Sequence, residues 1–296
     1  MTRPDVVGAP DLRQVRDRHF WLDLIPGLHI AGTAAADGSA VPAFPLAQHE
    51  PLRQLLRHEG YAQFDQLLDG SVAGHLAKAV ARLVQHRITP VFAFVYDEFW
   101  WLAHQLRSVL APVLGDGYVQ LPDFWVWYLD PSYEQSGWTP HRDKVQTRCL
   151  DAAGLPLSLT TWCALTEVSP LNGCMYLLPA HLDPNYASGD TAVPATALSA
   201  VRALPGPAGT VFAWNQRILH WGGRASHRAN MPRISVAFEF QRGDIPPFNT
   251  PLLAPDTFPD LATRLRLIGK QVLQYTHMYG YRQELVAVAQ ALSEDG

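Results

Sequence analysis

The segment Pro232-Arg233-Ile234-Ser235-Val236-Ala237-Phe238-Glu239-Phe240 governs the reading of this chain. Side chains alternate across an extended strand, so Ile234, Val236, Phe238 and Phe240 share one face while Arg233 and Ser235 share the other. One side of such a strand packs into a core, and the other carries a guanidinium beside a hydroxyl. Working outward, residues 118–129, 157–168, 174–178 and 210–214 also read as strands. In the first of them Trp125, Trp127 and Leu129 share a face. Turn chemistry bounds these segments at Asp130-Pro131, Ser169-Pro170, Asn172-Gly173, Pro205-Gly206 and Gly222-Gly223. Short strands punctuated in this way predict a β-sandwich or jelly roll over about residues 118–245.

Helical spacing frames that core. Ser71 can cap a helix carrying Val72, Leu76, Val80, Leu83 and Val84, which Thr89-Pro90 stops. The run Val91-Phe92-Ala93-Phe94-Val95-Tyr96 reads as a buried strand. Asp97 then caps a second helix through Phe99, Leu102, Leu106 and Leu110, ending near Pro112 and Gly115. Leu261, Leu265, Ile268, Val272, Tyr275 and Tyr279 return to helical spacing. Helical elements are therefore expected at about 70–115 and 257–293, with residues 1–50 irregular and prolines at 4, 10, 26, 42 and 45. No linker-like composition divides these parts, so residues 1–296 are expected to form one domain.

Composition excludes several function classes. The net charge of −4 supplies no basic field for nucleic acid or anionic lipid. The start, Met1-Thr2-Arg3-Pro4-Asp5, leads into no apolar signal-peptide core, and no run is long enough to span a bilayer. Cys149, Cys163 and Cys174 lack CxxC spacing and read as buried small hydrophobes of a reducing compartment, so a cytoplasmic location is expected. Oligomeric state is not encoded in any of these features.

In Gly137-Trp138-Thr139-Pro140-His141-Arg142-Asp143, His141 and Asp143 stand two apart, a spacing that puts both on one side of a strand. A third ligand must come from a distant strand, and His220, just before Gly222-Gly223, qualifies. Two imidazoles and one carboxylate leave open positions on a six-coordinate iron, which suits O₂ activation with a chelating cosubstrate. Arg233 would be a costly isolated charge unless a carboxylate, such as the far end of a dicarboxylate chelating the iron, paired with it.

HxD, a distal His and an Arg about a dozen residues further resemble the Fe(II)/2-oxoglutarate dioxygenases. More narrowly, Leu171-Asn172-Gly173-Cys174-Met175-Tyr176-Leu177-Leu178-Pro179-Ala180-His181 resembles the "NG…PGSH" segment of the phytanoyl-CoA dioxygenase family. The resemblance spans roughly residues 90–245. It implies a double-stranded β-helix (jelly roll, cupin-like), mainly β with flanking α-helices, that holds iron on His141, Asp143 and His220 and anchors 2-oxoglutarate on Arg233. Pro179-Ala180-His181 departs from the family's Gly-Ser-His. Gly222 stands where members often carry a hydroxyl two positions after the distal His, and Ser235 is the candidate to supply that contact. The implied activity is hydroxylation, or a related oxidation, of an unactivated C–H bond, with 2-oxoglutarate and O₂ giving succinate and CO₂. Related halogenases carry a small residue at the position of Asp143, so its carboxylate speaks against halogenation.

Blander readings stand beside these. The same ligand set suits a zinc-dependent cupin-like hydrolase or isomerase, and a jelly roll can also be a non-catalytic binder. His181 and His227 read as surface or loop-bracing residues, and the remaining histidines, His58 among them, have no ligand partner in the pattern. Arg142, Lys144 and Arg148 read as a solvated edge. Trp125, Trp127 and Trp138 suit either a substrate pocket or core packing. The expected partner is a small molecule, amino-acid-like or a natural product, because no basic stripe suits CoA phosphates.

Overall fold

Eight strands, all paired antiparallel, carry the architecture: β1 (Tyr61–Phe64), β2 (Val119–Leu129), β3 (Ser158–Ala164), β4 (Met175–Leu178), β5 (Arg202–Leu204), β6 (Val211–Asn215), β7 (Leu219–Gly222) and β8 (Arg233–Gln241). They belong to a computed structural model that describes residues 8–30, 41, 43–145 and 148–294. The opening Met1 to Asp5 and the prolines Pro4 and Pro42 lie outside the described residues. A five-stranded sheet runs in the order β1-β6-β3-β8-β2 and a three-stranded sheet in the order β5-β4-β7. A bridge between His141 and His220 adds one more rung beside β7.

The alternation along β8 organises both faces of the large sheet. Ile234, Val236, Phe238 and Phe240, with Leu159 and Cys163 of β3, pack into the main core. Leu76, Val80 and Leu83 of the helix α4 described below lie in that same core. The opposite face turns Trp162, Phe212, Trp214 and Ala237 toward Cys174, Met175 and Leu177 at the small sheet. Two sheets facing each other, one backed by helices, make the jelly roll expected from the turn-punctuated pattern. The three cysteines are buried and form no disulfide.

The helices are α1 (Leu12–Arg16), α2 (Arg18–Leu24), α3 (His49–His58), α4 (Gly70–Gln85), α5 (Asp97–Gln105), α6 (Arg107–Leu114), α7 (Leu261–Gln274) and α8 (Gln283–Glu294). Of the stretch 1–50, expected to be irregular, residues 8–30 carry two short helices, because Asp11 and Asp17 cap α1 and α2. The cap of α4 is Asp69, whose Oδ1 accepts from the backbone of Ser71 and Val72, and Ser71 lies inside the helix. The run over 91–96 is not a strand. Pro90–Val95 form a 3-10 helix, with Phe92 N–H donating to Thr89 O at 3.0 Å, and every residue from Val91 to Tyr96 is buried. A short, uniformly apolar run carries no period with which to tell the two apart. Tyr275 caps α7, so Tyr279 lies beyond its end.

Asp97 does not cap α5. Tyr96 takes that position, and the Asp97 carboxylate meets Arg264 Nη2 at 2.5 Å, with both side chains at most 1% exposed. Arg264 also donates to Val95 O at 2.8 Å and Pro259 O at 2.7 Å, tying α7 to the start of α5. Removing one member of a buried pair leaves the other uncompensated. Arg264→Leu is expected to lower unfolding free energy by about 3–5 kcal/mol in denaturant titrations, and Asp97→Leu/Arg264→Leu by clearly less.

Candidate active site

His141 and His220 are cross-strand neighbours that exchange two backbone hydrogen bonds of 3.0 Å, which brings their ring centroids to 4.3 Å. Each Nδ1 faces its own local carbonyl: Thr139 O at 2.7 Å for His141 and Ile218 O at 3.0 Å for His220. Donation from Nδ1 fixes the tautomer and leaves the Nε2 lone pair free. Both Nε2 atoms point at Asp143 Oδ1, at 3.6 Å from His141 and 3.5 Å from His220. His141 Nε2 is buried without a hydrogen-bond partner among the described residues.

The HxD pair is not carried by a strand as expected. His141 makes a single bridge, and the chain bends at Asp143. The large sheet aims Asp143 instead: its Oδ2 accepts from the Thr160 hydroxyl at 2.6 Å and from Trp214 Nε1 at 3.2 Å. Burial works against the Asp143 carboxylate, but the two imidazoles and the Thr160 hydroxyl outweigh it and hold its pKa below the usual value. Burial pushes His220 down to about 4, so it is neutral near pH 7 and available as a ligand.

Arg233 opens β8 with no exposed surface. Its Nη1 donates to Gly173 O at 2.8 Å, its guanidinium lies 5.5 Å from the Trp162 ring, and its Nε is buried without a partner. None of the described residues places a carboxylate in an ion pair with it, and burial lowers its pKa to about 10. Ser235 Oγ is likewise buried, with no hydrogen-bond partner among the described residues. A Cβ on Gly222 would lie 2.5 Å from Gly137 Cα and 3.2 Å from Arg233 Nη1. The position two after the distal His is therefore glycine for lack of room, and no hydroxyl fits there.

One cavity has His141, Asp143, His220 and Arg233 together in its lining. Trp125, Trp127, Trp138 and Tyr275 also line it, so the tryptophans of the sequence pattern are cavity walls. Two carboxylates complete the lining, those of Asp123 and Glu239. Glu239 is 8% exposed, and its Oε2 meets Lys144 Nζ at 3.2 Å. Burial and the nearby Asp123 push the Glu239 carboxyl up to about 8. Sequence reasoning passed over both acids, although each is a lone carboxylate in an otherwise apolar strand segment. It also passed over Thr160 and Trp214, whose roles depend on contacts far apart in sequence.

The solvated-edge reading fails for two of its three residues. Arg142 Nη1 pairs with Asp183 at 2.8 Å with both side chains fully buried, and Lys144 is committed to Glu239. Arg148 is exposed. His58, Glu59 and His181 form a second cluster, in which Glu59 Oε1 lies 3.0 Å from His58 Nδ1 and 3.5 Å from His181 Nδ1. His58 thus has a partner that the pattern did not reveal, on a more open surface than the first cluster. His227 reaches Glu134 at 3.3 Å on the surface, as a loop-bracing residue would.

Comparison with known proteins follows the same line. The phytanoyl-CoA dioxygenase (PhyH) family matches residues 57–230. No curated protein matches the sequence. Among solved structures, SnoN, an alpha ketoglutarate dependent epimerase from nogalamycin biosynthesis, aligns at 19% identity and a TM-score of 0.54, covering 73% of this chain and 94% of its own. ThoJ, a non-heme monooxygenase solved as a nickel complex, aligns at 19% and 0.54, covering 77% and 98%. HygX from Streptomyces hygroscopicus, with nickel and 2-oxoglutarate bound, aligns at 13% and 0.52, covering 69% and 88%. At such identities the likeness is one of fold, and among the described residues no helix is long and apolar enough to cross a membrane. With more than half its length matched by the family model, the chain belongs to the phytanoyl-CoA dioxygenase (PhyH) family and is an iron(II)- and 2-oxoglutarate-dependent enzyme on a jelly-roll fold.

Proposed function

We propose that this enzyme hydroxylates, or otherwise oxidises, an unactivated C–H bond of a small molecule, with His141, Asp143 and His220 as the iron ligands and Arg233 as the anchor of 2-oxoglutarate. One observation carries the assignment: three ligand atoms converge while every other polar atom of those side chains is already engaged. The Nδ1 atoms face backbone carbonyls, and Asp143 Oδ2 is held by Thr160 and Trp214. Two imidazole nitrogens and one carboxylate oxygen suit a divalent iron with open positions toward the cavity. When bound, iron and 2-oxoglutarate supply the oxidation, giving succinate and CO₂ as one oxygen atom of O₂ enters the substrate or leaves as water.

The protein's own part is placement. Arg233, buried and without a carboxylate among the described residues, suits the distal carboxylate of 2-oxoglutarate, and Ser235, two residues along the same face, offers its free hydroxyl as a second contact. A zinc hydrolase or a non-catalytic binder gives that buried cation nothing to do. Trp125, Trp127 and Trp138 hold the substrate and exclude water. Tyr275, at the end of α7, lines the same cavity as His141, which supports residues 1–296 acting as one catalytic domain. The natural-product setting of SnoN supports a substrate of that broad class, an amino-acid-like or secondary metabolite.

Anaerobic addition of Fe(II) and 2-oxoglutarate is expected to give a visible charge-transfer band. His141→Ala, Asp143→Ala and His220→Ala should each abolish it together with succinate formation. Three variants that all retain the band and the turnover would overturn the ligand assignment. Arg233→Ala removes a charge-assisted contact of about 1.5–3 kcal/mol, so half-saturation of the band should require about 10- to 150-fold more 2-oxoglutarate. Ser235→Ala, a neutral hydroxyl contact, should shift the same titration by roughly 2- to 10-fold.

A further inference from the structure

The half of the cavity away from Arg233 is acidic. β2 and β8 pair at Gln120↔Phe240 and again at Phe124↔Phe238, so three residues, 121 to 123, stand opposite Glu239 alone. A bulge of this kind re-aims a side chain, and here it brings Asp123 into the cavity beside Glu239. Asp123 is 1% exposed and, among the described residues, accepts only from amide groups: Asn249 Nδ2 at 2.9 and 2.8 Å, and Gln274 Nε2 at 2.7 Å. Lys270 reaches Asn249 Oδ1 at 2.8 Å and forms no ion pair with Asp123 among the described residues.

Glu239 sends Oε2 to both Gln216 and Lys144, while its Oε1 has no partner among the described residues. Among the described residues Lys144 pairs with Glu239 and not with Asp123, so the site holds a surplus of acid over base, with Asp123 buried among neutral donors. That surplus is not taken up by the cosubstrate machinery. Iron balances Asp143 and part of 2-oxoglutarate, and Arg233 balances the rest. The walls around the acids are aromatic. Trp138 lies 4.6 Å from Tyr275 and 6.4 Å from Trp125, centroid to centroid, and Trp125 lies 5.0 Å from Tyr275. Ring faces beside carboxylates favour an organic cation over a neutral or anionic group.

We propose that the substrate carries a cationic amine, bound by Asp123 and Glu239 against Trp125, Trp138 and Tyr275, with the carbon to be oxidised reaching toward His141, Asp143 and His220. The inference rests on the oxygenase reading for the meaning of "substrate", but the amine subsite itself is testable without metal or turnover. Phenethylamine, 2-phenylethanol and phenylacetate share a skeleton and differ in charge. Tryptophan fluorescence of the full-length protein, titrated with each, should show phenethylamine saturating at about tenfold lower concentration than the other two. Asp123→Asn and Glu239→Gln, which keep shape and remove charge, should each erase most of that preference. The 2-oxoglutarate titration of the charge-transfer band should stay unchanged in both.

Equal binding of the three probes, no saturable binding of phenethylamine, or a preference that survives both amide variants would overturn the amine subsite. The wild-type comparison decides even if a variant fails to fold. Loss of the charge-transfer band in wild-type protein would instead overturn the oxygenase reading and leave the amine result standing on its own.

Discussion

The architecture depends on how Asp143 is held between the two sheets. Its Oδ2 belongs to the large sheet, through Thr160 on β3 and Trp214 on β6, while its Oδ1 faces the two imidazoles that β7 and its bridging rung present. A carboxylate with one oxygen pinned by a hydroxyl and an indole has little freedom left, so the other oxygen is directed before any ion arrives. Such preorganisation is what the ligands of a metal site require of their surroundings. It also makes the spacing of the sheets part of the site, because β3, β6 and β7 must keep their mutual distance for the three ligand atoms to converge. The packing of Trp162, Phe212 and Trp214 against Met175 and Leu177 sustains that distance.

Arg233 poses the complementary constraint. A guanidinium with no exposed surface and no ion pair among the described residues is held at the cost of much of its hydration, offset only by a carbonyl, a thioether and an indole face. Such an arrangement is stable as part of a folded protein only where the rest of the fold sustains it. Gly222 and Gly137 belong to that arrangement. Their backbones meet at a distance that admits no side chain, which brings the segment before His141 against β7 and seats the guanidinium beside it. Gly222 therefore lies against both the segment that leads to His141 and the Arg233 guanidinium.

Much of this was legible in the sequence, and the exceptions have physical causes. The alternation along 232–240 correctly separates a core face from a functional face, because a long strand in the middle of a sheet repeats its period enough times to read. His141, Asp143 and His220 are brought together as their spacing suggests, though by a bend and a single bridge, since a local geometric rule cannot know where a strand stops pairing. β7 escaped notice because it has four residues, one of them the glycine that close packing demands. The run over 91–96 was misread as a strand because uniform hydrophobicity reports burial without a period. Asp123 and Glu239 carried a usable signal, a single acid in an apolar strand. Recognising them as a pair required the β2–β8 register and its bulge, which no single segment reveals.

The stoichiometry of the buried charges separates scaffold from site. Asp97 with Arg264 and Asp183 with Arg142 are one-to-one pairs, nearly or wholly buried, and they lie away from the cavity lining. They close on themselves and serve cohesion. The charges that line the cavity do not close: among the described residues Arg233 has no carboxylate, Asp143 turns one oxygen toward two imidazoles, and Asp123 has no ion pair while Glu239 meets Lys144. In a chain with only 17% charged residues, buried charge left unbalanced on both signs within one cavity is a costly concentration. Random placement would not gather it there, and a structural role would have paired it. The imbalance is positive beside Gly173 and negative beside the β2 bulge. Under the proposed reading, a cavity polarised in this way directs an acidic cosubstrate to one end and a basic group to the other.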